Sequence, residues 1–426
     1  MSSEPVSVWA FFVFSLVLAG LLFAGVTRLR GRDEGLGLPK IWVEARLHYA
    51  LIGVLAGYAL APTLSESMRP SLALAMVFFG TWFGLIAGCD FDLATVRRAP
   101  RVWGGLEMAN GCGIALAILG VTYLVGDWVV PEQGHFVSVL LGLCLLGGPR
   151  WPHARGGKGV GRQGIWLPSW STLLGVACLG LGSSQLRAGS MRVIYPFSGE
   201  RGFIVEGGLE EMVWSLVLGG LVGIIGDLIM RESEGRMLFY LLVGAVLLGG
   251  GIAAALGLEP LWVGLAAGLW LINATLRRVD ILRVVEQSSS TMQPALLFGA
   301  GWLWGDALRA ADIDWPLTIW IWVLLVLVRP LARLAVLQGA QPLVPAHILS
   351  SASSGSAALV RLDILVLAGA ASLSQVLPPR LGSALLGAGL LAQLSLGLAT
   401  WAVYGVGPRF PKLMYLVGQR RRPGQK

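Results

Sequence analysis

Several ionisable side chains lie inside stretches that are otherwise almost wholly apolar. Arg329 and Arg333 stand four residues apart in Val328-Arg-Pro-Leu-Ala-Arg333, a spacing that puts two side chains on one helix face. Arg361 and Asp363 follow in Arg-Leu-Asp; two apart on a helix, they point about 200° away from each other and do not pair. Asp227 and Glu107 sit nearer the ends of their apolar runs, where snorkelling or helix capping explains a charge. A charge in hydrocarbon costs a few kcal/mol unless it is paired or hydrated. The pattern therefore predicts a cluster in which Asp363 pairs with Arg329 or Arg333 from the neighbouring run. Groups that hold an ion or a proton are the chemistry it suits, with Asp363, Arg329, Arg333, Arg361 and Asp227 as candidates.

Such groups need helix ends near them. One apolar run, 134–148, stops at Gly147-Gly148-Pro149-Arg150-Trp151-Pro152, which no helix continues, because proline lacks an amide hydrogen and its ring meets the preceding turn. A second run is preceded by Ser350-Ser-Ala-Ser-Ser354-Gly355-Ser356, polar and weak in helix propensity. Gly148, Pro149, Ser354 and Gly355 are thus candidate helix breaks. Ser169 and Ser171, with Thr172, are hydroxyls at the start of the run that follows the first break.

The elements that carry these residues are membrane helices. Hydrophobic residues make up 55% of the chain and charged residues 13%, with mean hydropathy +0.72; a soluble domain carries about 25% charged residues. So little charge cannot cover a water-facing surface. The 59 glycines suit helices that pack by close backbone approach where lipid supplies little hydrophobic drive. Apolar runs at 8–27, 47–62, 71–88, 102–125, 134–148, 165–183, 211–229, 237–256, 260–275, 289–306, 315–333, 356–376 and 382–404 are read as spans. The leading MSSEPVS lacks a basic segment and no cleavage site follows it, so the first run is read as a retained span.

With the N-terminus outside, alternation leaves twenty-three Lys and Arg on inside segments and six outside, a strong positive-inside bias. The net charge of +8 therefore reflects topology and contact with anionic headgroups, and no nucleic-acid partner is expected. Cys89, Cys112, Cys144 and Cys178 are scattered without ligand spacing and read as packing residues. No nucleotide motif is present, and the longest hydrophilic stretch, 184–210, is too short to fold as a catalytic domain. No enzyme activity, metal or cofactor is expected.

The reading is an all-α polytopic membrane protein of about thirteen transmembrane helices. Two inverted six-helix repeats, 1–183 and 237–404, flank an outside loop and linker span, 184–236, and a basic tail, 405–426, follows. Inverted repeats place a substrate site near the midplane, where broken helices from both halves cross.

Stretches along the chain resemble the bacterial cation/proton antiporter (sodium/hydrogen exchanger) family. They are Gly53-Val-Leu-Ala-Gly-Tyr-Ala-Leu-Ala-Pro62; Phe83-Gly-Leu-Ile-Ala-Gly-Cys-Asp-Phe-Asp-Leu93 with Arg97-Arg98; Gly257-Leu-Glu-Pro through Asn273; Gln293-Pro294 with Phe298 and Gly301; and Arg329 with Arg333. The resemblance implies a homodimer in the bacterial inner membrane, and the charge bias sets the C-terminus as cytoplasmic. It also implies elevator-type alternating access exchanging Na⁺ or K⁺ for H⁺. In that family the sixth span carries the acidic residue that binds ion and proton. Here 165–182 holds no carboxylate, and Gly147-Gly-Pro-Arg150 stands where the family has a Thr-Asp-Pro-like element. Hydroxyls alone do not titrate in the working range. Three readings follow: an antiporter whose acid has moved, to Asp363 or Asp227; a sensor, scaffold or subunit that kept the fold without the ion site; and an anion or organic-solute carrier.

Overall fold

A computed structural model describes residues 47–60, 68–98, 101–129, 134–146, 151–152, 166–167, 170–187, 192–194, 203–205, 208–231, 237–275, 277–340, 364–374 and 377–405. These are almost entirely helical. The helices are α1 (Leu47–Leu60), α2 (Met68–Cys89), α3 (Leu93–Arg98), α4 (Arg101–Val129), α5 (Gly134–Leu145), α6 (Trp170–Arg187), α7 (Gly208–Met230) and α8 (Leu238–Leu256). They continue as α9 (Pro260–Ala274), α10 (Arg278–Ala310), α11 (Trp315–Val323), a π-helical turn (Leu324–Val328), α12 (Arg329–Ala340), α13 (Ile364–Ser374) and α14 (Pro379–Gly405). Two short antiparallel ladders join Trp151–Pro152 to Trp166–Leu167 and Arg192–Ile194 to Phe203–Val205. The predicted first span and basic tail fall outside the described residues, apart from Gly405.

Four helical stretches, Gly104–Leu124, Glu210–Met230, Leu238–Leu256 and Trp315–Val336, are long and apolar enough to cross a membrane, the mark of a membrane protein. Shorter apolar helices include His48–Leu60, Leu74–Cys89, Trp170–Gly182, Pro260–Ala274 and Ile364–Ser374. Large apolar side chains cover the outer surface: Leu116, Tyr123, Leu228 and Tyr240 are all exposed. A soluble fold would not leave so much contiguous apolar surface uncovered.

Local sequence explains the boundaries. Gly257 ends α8 in the left-handed region at φ 67°, which glycine enters without steric cost. Pro260 then opens α9, where a missing amide hydrogen is harmless. Asp314 caps α11, its carboxylate accepting from the Leu317 amide at 3.1 Å. The segment after 277, read from sequence as an inside loop before a span at 289, is instead helical. It joins the span as the 33-residue α10, which passes through Pro294.

Two helix crossings form the centre of the described fold. Carbons added at Gly53 and Gly57 of α1 would overlap the backbone carbonyls of Phe298 and Trp302 on α10; in return, Gly301 and Gly305 sit against Ala50 and Val54. In both directions rising residue numbers meet rising numbers, so α1 and α10 run parallel. The same arrangement joins α2 to α9, where Gly84 and Gly88 meet Leu261 and Leu265, and Gly264 and Gly268 meet Thr81 and Leu85. Each crossing is therefore a pair of Gly-x-x-x-Gly faces in mutual backbone contact. Antiparallel pairs flank them: Gly142 of α5 abuts Gly175 and Leu179 of α6, and Gly389 of α14 faces Leu367 and Ala370 of α13.

Candidate functional site

Buried polar groups gather where α4, α5, α6 and α12 meet. The α4 face that carries Glu107, Asn110, Gly111, Ile114 and Ile118 is turned inward, since all five are buried; Glu107 is 0% and Asn110 5% exposed. Residues three and four apart share a helix face, so Glu107, Asn110 and Gly111 occupy one patch. A carbon added at Gly111 would lie 3.8 Å from the Ser171 Cβ, which fixes that patch against the first turn of α6. Ser171 and Thr172 are both buried there. Two residues further along α4, Gly113 meets the Val336 side chain of α12.

Arg329 and Arg333 on α12 are buried, at 2% and 1% exposed. Arg329 Nη2 donates to the Leu146 carbonyl at 2.7 Å. Leu146 follows the last residue of α5, one residue before Gly147-Gly148-Pro149. The last carbonyls of a helix have no partner in the helix and carry its negative pole. A guanidinium satisfies both needs, so Arg329 closes the α5 end. Its own position depends on Pro330: proline cannot donate and its ring displaces the preceding turn. The chain widens there into the π turn, and the Arg329 amide reaches back five residues to Leu324. Such widened turns recur at functional positions in helices.

The remaining sequence candidates are placed as follows. Asp227 lies at the end of α7 and accepts from the Arg231 guanidinium, four residues on, at 2.9 Å. Ser171 lies in the first turn of α6 against Gly111 of α4, and Arg329 lies at the end of α5. Asp363, Arg361, Gly148, Pro149, Ser169, Ser354 and Gly355 lie outside the described residues, and with them the predicted pairing of Asp363 with an arginine.

Two carboxylates gain weight that sequence did not give them. Glu107 reads from sequence as a span-end residue, yet its side chain is fully buried; the available signal was Asn110 and Gly111 on the same face of an apolar run. Glu259 precedes Pro260 and leaves its own helix uncapped. It accepts instead from the Ser372 hydroxyl of α13 at 2.8 Å, and Gly80 of α2 packs on that serine. Nothing in the local sequence at 259 names a partner 113 residues away. Among the described residues no group of three or more His, Cys, Asp or Glu forms a metal site.

Beside the first turn of α6, where the Phe91 ring meets that of Trp170 at 5.7 Å, α2, α3 and α9 are tied together. Asn273 Nδ2 donates to the Phe91 carbonyl at 2.9 Å, its Oδ1 accepts from the Leu93 amide at 2.8 Å, and Arg278 approaches Asp92 at 3.6 Å. These bonds hold the Cys89–Leu93 turn to the end of α9, so the α2–α9 crossing is fixed at one end as well as along its glycines.

No family model matches the chain, and no curated protein sequence matches it significantly.

Proposed function

We propose that the chain is a secondary membrane transporter resembling monovalent cation:proton antiporters, working by elevator-type alternating access as a homodimer in the bacterial inner membrane. The observation that carries this reading is the buried polar group at a helix end inside the fold. Arg329 closes α5, the hydroxyls of Ser171 and Thr172 open α6, and Glu107 lies on the α4 face seated against them. Charges at such depth are costly and mark ion or substrate pathways in membrane proteins. A helix that stops inside a membrane fold is tolerated where it lines a site.

The helix contacts support the inverted-repeat plan behind the mechanism. Exchange α1 with α9, α2 with α10, α5 with α13, and α6 with α14. The α1–α10 crossing then becomes the α9–α2 crossing, and the α5–α6 pair becomes the α13–α14 pair. Even the motifs exchange, Gly53 and Gly57 for Gly264 and Gly268, Gly84 and Gly88 for Gly301 and Gly305. In this plan the two glycine crossings form the static panel, and α4–α6 with α11–α14 form the moving part. A related second reading is a sensor, scaffold or subunit that keeps the fold; the structural use of Asp227 in its pair with Arg231 favours it, since one candidate acid is thereby occupied.

The test is a pH gradient imposed across proteoliposomes containing the purified protein. Dissipation on adding Na⁺, K⁺ or Li⁺, absent from empty vesicles, supports antiport. A gradient indifferent to all three cations, with folded protein verified in the vesicles, overturns it in favour of the non-transporting reading.

A further inference from the structure

Contacts between the panel and the α4–α6, α11–α14 body differ in kind from those inside the panel. At the α1–α10 and α2–α9 crossings each glycine meets main-chain atoms of its neighbour, which locks one backbone against the other. Across the seam between the two bodies, three glycines meet side chains instead. A carbon added at Gly180 of α6 would overlap the Trp262 indole of α9, and one at Gly387 of α14 the Trp304 indole of α10. One at Gly80 of α2 would lie 3.2 Å from the Ser372 hydroxyl of α13, the group that donates to Glu259 at 2.8 Å. These contacts gather at one end of the bundle. Glu259 and Trp262 stand at the start of α9, and Ser372 lies in the last turn of α13. The Ser383 hydroxyl, in the first turns of α14, donates to the Asp312 carbonyl between α10 and α11 at 2.7 Å. The Trp304 and Trp315 rings meet there edge to face at 6.4 Å. It is the end that the charge bias assigns to the outside.

Both indoles turn the same atom to their glycine: Nε1 is nearest in each seat. Trp262 and Trp304 are 6% and 7% exposed, and neither Nε1 has a hydrogen-bond partner among the described residues. A buried donor without a partner is costly, and water that reaches it when the seam parts removes the cost. Trp82 carries a third such donor inside the panel, against Phe239, so the donor alone does not mark the seam. Its meeting with a glycine of the other body does. We propose that Trp262 on Gly180, Trp304 on Gly387 and Glu259 with Ser372 form the outer gate of the transporter, closed in this structure. The gate rests on the transporter reading and names the contacts that shut one side of it. Each indole lies on a flat seat, from which it lifts without unthreading. Opening also returns the Glu259 carboxylate, 4% exposed, to water, which favours a charged group. Packing therefore holds the gate shut while hydration of three polar groups favours opening. A methyl group at 180 or 387 fills a seat and holds the gate ajar.

Thiol labelling of the full-length protein tests the gate without reference to transport. In a cysteine-free background Ser372→Cys, at a position 2% exposed, reacts slowly with a membrane-impermeant maleimide. Adding Gly180→Ala or Gly387→Ala, each on a different helix from Ser372, speeds labelling about tenfold. Gly120→Ala, where an added carbon meets nothing within 4 Å, leaves it unchanged. A second arm joins Glu259→Cys to Ser372→Cys with a short bifunctional methanethiosulfonate. The cross-link stops cation-driven loss of the pH gradient in proteoliposomes, and a reductant restores it. Size-exclusion chromatography verifies folding; if the glycine variants do not fold, the cross-linked pair carries the test. Unchanged labelling in folded Gly180→Ala and Gly387→Ala, or undiminished exchange by the cross-linked protein, overturns the gate, and exchange by the cysteine-free parent then leaves the transporter reading standing. A parent without exchange overturns the transporter reading, while faster labelling in the glycine variants still shows a seam that parts. A parent without exchange and labelling that never changes overturn both.

Discussion

Arg329 donates to the Leu146 carbonyl at the end of α5, where the last carbonyls of a helix have no partner further along it. Replacing it with methionine leaves the Leu146 carbonyl buried and removes the charge that offsets the helix pole. The expected loss is about 1.5–3 kcal/mol, the range for a hydrogen bond to a charged group, seen as a lowered thermal unfolding midpoint in detergent. Arg283 gives the contrast. It is 58% exposed in its pair with Asp280, itself 53% exposed, so Arg283→Met should cost less than about 1 kcal/mol. At this scale the sequence was legible in part. The four-residue spacing of Arg329 and Arg333 placed both on one face, and both are buried. The partner was not legible, because a guanidinium that bonds a main-chain carbonyl 183 residues away leaves no mark in side-chain types. Glu107 and Glu259 were obscured for a similar reason: each stands near an element end, where exposure and burial give the same local pattern.

The helices meet through glycine, and the crossings give the sharpest element-scale prediction. Gly264→Leu would drive a side chain into the Thr81 carbonyl of α2, while a carbon at Gly251 of α8 meets nothing within 4 Å. Gly264→Leu should therefore abolish a monodisperse, folded peak in size-exclusion chromatography. Gly251→Leu should preserve it, with stability changed by no more than about 0.5 kcal/mol. Helix existence was readable from apolar runs, and the α8–α9 boundary from Gly257 and Pro260. Partner choice was not, because every glycine face looks alike until a second backbone lies against it. The extension of α10 back to Arg278 was also hidden: Arg277, Arg278 and Arg283 read as an inside segment before the run at 289, yet the helix begins at Arg278, and within it Ser288 turns its hydroxyl to the Val285 carbonyl at 2.9 Å.

For the whole molecule, alternating spans fix the side on which each segment lies. The parallel sense of α1 with α10 and of α2 with α9 requires an odd number of spans between the members of each pair, and the thirteen-span reading places seven and five there. In a cysteine-free background, Arg380→Cys is expected to react with a membrane-impermeant maleimide on intact cells, and Arg231→Cys only after permeabilisation. The reverse labelling would invert the topology. In the sequence this expected orientation rests on basic residues, whose placement is a charge pattern rather than a packing pattern. The pairing of α1 with α10 and of α2 with α9 was not readable, because no sequence repetition marks it.

The central claim is exchange of an alkali cation for protons, and direct flux decides it. Vesicles containing the purified protein, loaded at acidic pH and diluted into alkaline medium with radioactive sodium or rubidium, should accumulate label above empty vesicles. Collapse of the pH gradient by a protonophore with balancing ionophore should remove that accumulation. Uptake no greater than in empty vesicles for either cation, with the gradient in either direction and the protein shown to be folded, would contradict the account.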